Sequence, residues 1–110
     1  MDCMPDERPG ERWQTGSPDL VADVSLYTTA DGGRAGALLA GYGCPCFAKP
    51  DLGESGWDAR LQLGNEPFEP GTKRRVGFVF LTPEGAEAMM RAGRFYLWEG
   101  RFVGEAVVVG

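Results

Sequence analysis

Along much of this 110-residue chain, apolar and polar residues alternate in short runs. The alternation is clearest in residues 20–29 and 57–63. Because successive side chains of a β-strand point to opposite faces, this period predicts strands that each bury one face. Residues 75–81 are apolar without alternation, which is typical of a strand covered on both faces. The predicted strands are residues 20–29, 35–42, a short segment near 47–48, 57–63, 75–81, 94–98 and 102–109.

One short helix is predicted between residues 82 and 93, where the period of two is lost. Thr82 is a residue type that caps helices, and Pro83 suits the first helical position. Glu84 would complement the positive end of the helix, and Gly93 is a typical terminator. The helix therefore precedes the last two strands.

The last two strands are joined by a tight turn at residues 99–100, which predicts a hairpin. Alternation places Phe95 and Leu97 on one face of its first strand and Tyr96 and Trp98 on the other. We expect this hairpin to pair with the first strand, because an apolar strand at the end of a chain needs a partner.

The whole pattern indicates an all-β fold. The chain contains 17 Gly and 8 Pro, and its connections are short, which favours antiparallel pairing. Glycines inside strands allow the curvature that closed sheets need. We predict one domain, a small closed barrel or sandwich, at residues 20–110. Residues 1–19 are polar and contain three prolines, which predicts a flexible arm.

Charge disfavours nucleic acid as the main partner. The formal net charge is -5, and residues 1–19 account for -3 of it. Neither part supplies the broad positive field of sequence-independent phosphate binding. No apolar run approaches the roughly 20 residues of a membrane span, and the N-terminus does not resemble a secretory signal. We therefore expect a cytoplasmic protein without membrane contact.

Candidate chemistry is sparse. The chain has no His, which removes the commonest general base and His-dependent catalysis. Asp31 and Glu99 are a conceivable acid–base pair, but both lie in predicted exposed turns. Cys44 and Cys46, separated by one proline, are too close for an easy disulfide, and Cys3 lies in the arm. Incidental or buried thiols are favoured over a metal or redox role, since a structural zinc needs four ligands. We predict no enzyme, no catalytic residue, no cofactor and no metal.

Five motifs follow one another in a fixed order along residues 20–110. They are Asp23-Val24-Ser25-Leu26, Asp31-Gly32-Gly33-Arg34, Gly41-Tyr42 with Pro45 and Phe47, Pro70-Gly71, and the closing stretch 94–104. In this order and separation they resemble the third, C-terminal domain of translation elongation factor Tu, as a stand-alone domain. The resemblance implies a six-stranded antiparallel closed β-barrel. The chain lacks the Gly-x-x-x-x-Gly-Lys-Ser/Thr loop of the family's GTPase domain, so no nucleotide is expected.

In that family the third domain helps to hold the aminoacyl-tRNA T-stem and contacts other proteins. Arg34 matches the arginine of the family's Gly-Gly-Arg turn. The family's Gly-Tyr-Arg-Pro-Gln-Phe bend has lost its arginine and glutamine here, and the last turn is one glycine short, leaving Gly100 and Arg101 after Glu99. The resemblance therefore implies a non-enzymatic binding module, protein-binding or regulatory and linked to translation. The alternative is a weak tRNA or RNA binder that uses Arg34, Arg101 and residues 73–75.

Two groups of side chains are candidates for binding. Arg34, Arg94 and Arg101 are expected to gather near one end of the barrel, with residues 73–75 close by. They form either a small-anion or RNA phosphate site, or solvated charge that balances Asp31, Glu99 and Glu105. Four aromatic residues, Tyr42, Trp57, Tyr96 and Trp98, are expected to form an exposed protein-binding patch, unless the helix buries them. The candidate site residues are Arg34, Tyr42, Lys73, Arg74, Arg75, Arg94, Tyr96, Trp98, Gly100 and Arg101.

Overall fold

The computed structural model describes residues 16–53 and 55–109. Six antiparallel strands close into a barrel in the order β1-β4-β3-β2-β5-β6. The strands are β1 Leu20–Leu26, β2 Gly43–Phe47, β3 Trp57–Gln62, β4 Lys73–Phe80, β5 Arg94–Trp98 and β6 Phe102–Val108. Helix α1, Pro83–Ala92, precedes the last two strands, and a 3₁₀ turn, Thr29–Asp31, follows β1. The predicted closed barrel with one short helix is confirmed for this part of the chain.

The carboxyl-terminal hairpin closes the barrel as the apolar pattern predicted. Strand β6 pairs with β5 and also with β1, from Ala22 opposite Val108 to Leu26 opposite Gly104. Strand β1 pairs on its other side with β4. Every strand therefore has two neighbours, which removes the free edges that promote aggregation.

The barrel interior is filled by the inward residues of all six strands. Strand β1 alternates strictly between buried and half-buried positions, as its period of two requires. At the centre the Phe78 ring lies 5.1 Å from that of Phe95 and 6.3 Å from that of Phe80, measured between centroids. Within the described residues no polar or charged side chain is fully buried.

Helix α1 covers the end of the barrel where β4 ends and β5 begins, here called the helix end. Its inward face consists of Gly85, Ala86 and Met89. Trp57, the first residue of β3, packs against Gly85. The opposite end, here called the loop end, carries the β1–β2 loop, the β3–β4 loop and the β5–β6 turn.

The Thr82 side chain is the N-cap of α1, since Oγ1 accepts a hydrogen bond from the backbone N–H of Gly85 at 3.3 Å. We expect Thr82→Ala to lower the free energy of unfolding by about 1 kcal/mol, because it leaves one N–H of the first turn without its partner. Urea denaturation followed by circular dichroism measures the change. Thr82→Ser keeps the oxygen and should stay within about 0.5 kcal/mol of the wild type.

The expectation of a strand at residues 35–42 is wrong. This segment makes one isolated bridge, in which Leu38 and Phe68 exchange two backbone hydrogen bonds of 2.8 and 3.0 Å. Both side chains are buried under the loop end, whereas Leu39 is 61% exposed. The strand lies further along, at residues 43–47, where the sequence indicated a bend.

Residues 1–15 of the predicted arm lie outside the described residues. Residues 16–19 pass along the outer side of β4 and β3. Pro18 covers Gly77, and the amide of Gln62 donates to the carbonyl oxygen of Gly16 at 2.7 Å. The outer face of β4 is therefore only partly covered, and its positions alternate in burial, contrary to the expectation of a strand enclosed on both faces.

Across residues 16–53 and 55–109, no helix combines the length and apolar character needed to cross a membrane.

Candidate functional site

Three side chains from distant parts of the sequence form a hydrogen-bonded cluster at the loop end. The Nε of Arg34 donates to Oε1 of Glu99 at 2.9 Å, and the hydroxyl of Tyr42 donates to the same oxygen at 2.6 Å. The Arg34 guanidinium also lies over the Tyr42 ring, 5.4 Å from its centroid. The cluster thus joins the middle and the far end of the β1–β2 loop to the β5–β6 turn.

Hydrogen bonds and close packing within the β1–β2 loop fix the backbone around Arg34. Nη1 of Arg34 donates to the carbonyl oxygens of Gly36 and Ala37, each at 2.7 Å. The hydroxyl of Thr29 donates to the carbonyl oxygen of Arg34, also at 2.7 Å. Gly33 sits so close to the carbonyl oxygen of Tyr27 that a methyl group there would lie 2.3 Å from it. The Arg34 side chain therefore contributes to the structure of its own loop.

Burial raises the pKa of Tyr42 well above its usual value, with smaller contributions from Cys44 and Glu99. Tyr42 therefore remains a protonated donor to Glu99.

Burial likewise raises the pKa of the Cys46 thiol. Cys44 and Cys46 are free and point into the barrel, so the buried thiols that the sequence favoured are present in this strand and Cys46 is a poor nucleophile.

A cleft of about 420 Å³ opens beside this cluster, between the β1–β2 loop and the β5–β6 turn. Arg34, Ala35 and Gly36 form one side of it, and Glu99 and Arg101 the other. The turn is tight because Gly100 adopts φ 72° and the N–H of Glu99 donates to the carbonyl oxygen of Arg101 at 2.7 Å. Sequence reasoning named Gly100 and Arg101 individually, and the structure shows the cavity that they border.

The predicted gathering of cations is only partly correct. Arg34 and Arg101 meet at the cleft, but Arg94 opens β5 at the helix end, where Nη1 donates to Oε2 of Glu105 at 3.0 Å. Antiparallel strands impose this separation, because the first and last residues of β5 lie at opposite ends of the barrel. Arg94 therefore does not belong to a site with Arg34.

The basic run at residues 73–75 is divided by strand alternation. Arg74 turns toward the β3–β4 loop and donates to the carbonyl oxygens of Leu63 and Glu66 at 2.7 and 2.9 Å. Lys73 and Arg75 point outward beside β1. The guanidinium of Arg75 donates to Asp23 at 2.9 and 3.3 Å, and this hydrogen bonding lowers the pKa of the Asp23 carboxyl.

Four aromatic side chains form a second surface, here called the aromatic face, on the outside of β2, β5 and β6. They are Phe47, Tyr96, Trp98 and Phe102. The Phe47 ring lies 6.5 Å from that of Trp98 and 5.8 Å from that of Phe102, both edge to face, and the Tyr96 and Phe102 rings are 6.3 Å apart. Phe47 is 9% exposed, and the other three are half-buried.

The aromatic patch exists, but two of its four residues differ from those expected. Tyr96 and Trp98 point outward, opposite the buried Phe95 and Leu97, as their alternation predicted. Trp57 points inward at the helix end, and Tyr42 belongs to the loop-end cluster. Sequence reasoning missed Phe47 and Phe102, although the inward positions of Cys44 and Cys46 in the same strand would have placed Phe47 on the outside.

No three His, Cys, Asp or Glu side chains in the described part of the chain are grouped so that they could hold a metal ion. The chain matches no protein-family model, and no curated protein matches it. The resemblance to the third domain of elongation factor Tu therefore stays a prediction from its motifs, alongside a barrel of the expected strand number.

Proposed function

We propose that this domain is a non-enzymatic binding module that engages a protein of the translation machinery in the cytoplasm through its aromatic face. The observation that carries the proposal is the position of the four rings. The barrel interior is already filled by residues such as Phe78, Phe95 and Leu97. Three of the outer rings are half-buried and thus additional to the core, whereas Phe47 is buried and contacts two of them. Large aromatic side chains dominate the energetics of protein interfaces.

The charges nearest to the aromatic face favour an apolar partner surface. Glu105 follows Phe102 on β6 and already pairs with Arg94, while the hydroxyl of Tyr27 donates to its other oxygen at 3.4 Å. At Glu105 a partner therefore meets a charge that is already neutralised within the domain. We infer that its contact surface is mainly apolar, since charged residues are depleted at interface centres.

The link to translation depends on the motif resemblance. In the family, the third domain contacts its own GTPase domain and the nucleotide exchange factor. Such contacts use apolar surface more than positive charge, and the aromatic face supplies surface of that kind.

RNA binding is the weaker alternative, because most of the candidate cations are engaged within the domain. Arg34 donates to Glu99 and to two backbone carbonyls, Arg74 to two carbonyls of its own loop, and Arg75 to Asp23. Releasing any of them for a phosphate would cost these hydrogen bonds.

We expect the full chain to bind either purified elongation factor Tu or its exchange factor, and Trp98→Ala to weaken that binding at least tenfold. The reason is the loss of the largest ring of the aromatic face, which costs about 1–2 kcal/mol or more at an interface centre. Isothermal titration calorimetry measures the dissociation constant. Leu81→Ala is the matched control, since Leu81 is an apolar residue with 57% exposure near the helix end.

Equal weakening by Trp98→Ala and Leu81→Ala would contradict the proposed face. If neither factor binds, the link to translation is overturned. Protein binding itself can then still be supported by affinity capture. The captured protein must be retained by the wild type and by Leu81→Ala but not by Trp98→Ala, and titration of the purified protein must confirm that it binds. Affinity for tRNA that falls steeply with salt and is lost in a variant carrying Arg34→Ala and Arg101→Ala would establish the RNA alternative instead.

A further inference from the structure

The loop-end cleft has an uncommitted cation on one side. Arg101 donates a single hydrogen bond to the described residues, from Nη1 to the carbonyl oxygen of Gly32, and at 3.5 Å that hydrogen bond is long. It has no ion pair within residues 16–53 and 55–109. Its neighbour Arg34, by contrast, is held by Glu99 at 2.9 Å. Arg101 is therefore the guanidinium at the cleft that remains available to an anion.

The other side of the cleft carries unused backbone donors. The N–H of Gly33 donates to the carbonyl oxygen of Thr28 at 2.9 Å. The next three N–H groups, of Arg34, Ala35 and Gly36, donate no hydrogen bond to any described residue, and all three residues line the cleft. Successive backbone N–H groups can bind an anion together, and these three are left free by the described part of the fold.

The charge of the cleft fits an anion of one negative charge. Among the residues that line the cleft, Glu99 is matched by Arg34, which leaves Arg101 as the charge without a counterpart. Ala35 and Val103 add apolar walls, which suit the short aliphatic stem of a carboxylate-bearing group. A polynucleotide fits less well, because it would bring successive phosphates past Glu99 and Asp31 at the same end of the barrel.

We propose that this cleft binds a carboxylate of a protein partner, with Arg101 and the backbone N–H groups of residues 34–36 as its donors. This proposal depends on the proposed function in one respect, that the partner supplying the carboxylate is a protein. The two possible sources are an acidic side chain and the carboxyl terminus of a chain. Both present the same planar group, which an arginine binds with two parallel hydrogen bonds.

Nuclear magnetic resonance of the full, ¹⁵N-labelled chain tests this directly, because the proposed donors are observable N–H groups. The probes are N-acetyl-glutamate α-amide, which offers only a side-chain carboxylate, and N-acetyl-alanine, which offers only a terminal carboxylate. We expect saturable shifts of the amides of Arg34, Ala35 and Gly36 and of the Arg101 Nε–H, with a millimolar dissociation constant. The probe that binds more tightly identifies the source.

Arg101→Gln should weaken the binding of the better probe at least fivefold. The matched control is Arg91→Gln, which removes an exposed arginine from α1 at the other end of the barrel and should leave the constant unchanged. Trp98→Ala should also leave it unchanged, so that failure of the aromatic face and failure of the cleft can be told apart.

Three results would overturn the carboxylate site. One is the absence of shifts at residues 34–36 with either probe. The second is equal affinity in the wild type and Arg101→Gln. The third is tighter binding of inorganic phosphate or of a short oligoribonucleotide at the same amides, which would assign the cleft to phosphate groups.

Discussion

Phe78→Ala is expected to lower the free energy of unfolding by about 3–5 kcal/mol, a large part of the total stability of a domain of this size. Phe78 is fully buried, and its strand is bonded to β1 on one side and β3 on the other. Removing the ring leaves a cavity against Phe80 and Phe95. A closed barrel cannot shrink around that cavity without breaking strand pairs, so little of the cost is recovered by relaxation. Urea denaturation followed by circular dichroism gives the change.

Leu81→Ala is the control for this substitution, because Leu81 is the exposed residue that follows the same strand. It should change the free energy of unfolding by less than about 0.5 kcal/mol. If Phe78→Ala prevents folding altogether, Phe78→Leu keeps most of the volume and should give a measurable intermediate loss. A cost for Phe78→Ala as small as that of the control would show that the ring is not central to the core.

The elements that sequence predicted best are those whose pattern is local. Helix α1 follows from the cap at Thr82 and lies where expected. Strand β1 begins at Leu20 as its alternation predicted, but it ends at Leu26, three residues early, and a 3₁₀ turn begins at Thr29. Strand β2 was misplaced because Pro45 and the two glycines shortly before it, Gly41 and Gly43, are typical of a bend. The pairing of β2 with β5 begins only at Cys46, beyond the proline, so a proline is tolerated there.

The candidate site was harder to predict because its contacts join distant residues. Arg34 was marked by the Gly-Gly-Arg motif, but its partner Glu99 lies 65 residues further along the chain. No local period connects the two. The inward turn of Arg74, in contrast, follows from strand alternation, since Lys73 and Arg75 on either side of it point outward. That division of the basic run was available from sequence once β4 was placed.

The two ends of the barrel are built differently. Helix α1 covers the helix end and buries Met89 against the core. At the loop end no α-helix lies among the described residues. The cover there is formed by the paired loops that bury Leu38 and Phe68, so its shape depends on turns and on hydrogen bonds between them. Changes to turn geometry at this end should therefore affect both the fold and the cleft, which three of the four glycines of the β1–β2 loop allow to be tested.

We expect Gly33→Ala to lower the free energy of unfolding by about 1–3 kcal/mol and to displace the loop that carries Arg34. A methyl group at this position would lie 2.3 Å from the carbonyl oxygen of Tyr27 and 2.9 Å from that of Thr28. Both are backbone atoms, which cannot rotate away as a side chain would. The backbone of the loop must shift, and the amides of residues 34–36 must shift with it. The measurements are urea denaturation and the ¹⁵N spectrum of the loop.

Gly36→Ala is the matched control, because it adds the same methyl group to the same loop where nothing lies within 4 Å. It should leave stability unchanged or raise it by up to about 1 kcal/mol, since alanine restricts the unfolded chain. Gly32→Ala distinguishes the effect of a steric clash from the effect of backbone strain. Its position is also open, but its φ is 95°, so it should cost about 1–2 kcal/mol. If Gly33→Ala proved no more costly than Gly36→Ala, the close packing of this loop against the end of β1 would be contradicted, and with it the placement of Arg34 at the cleft.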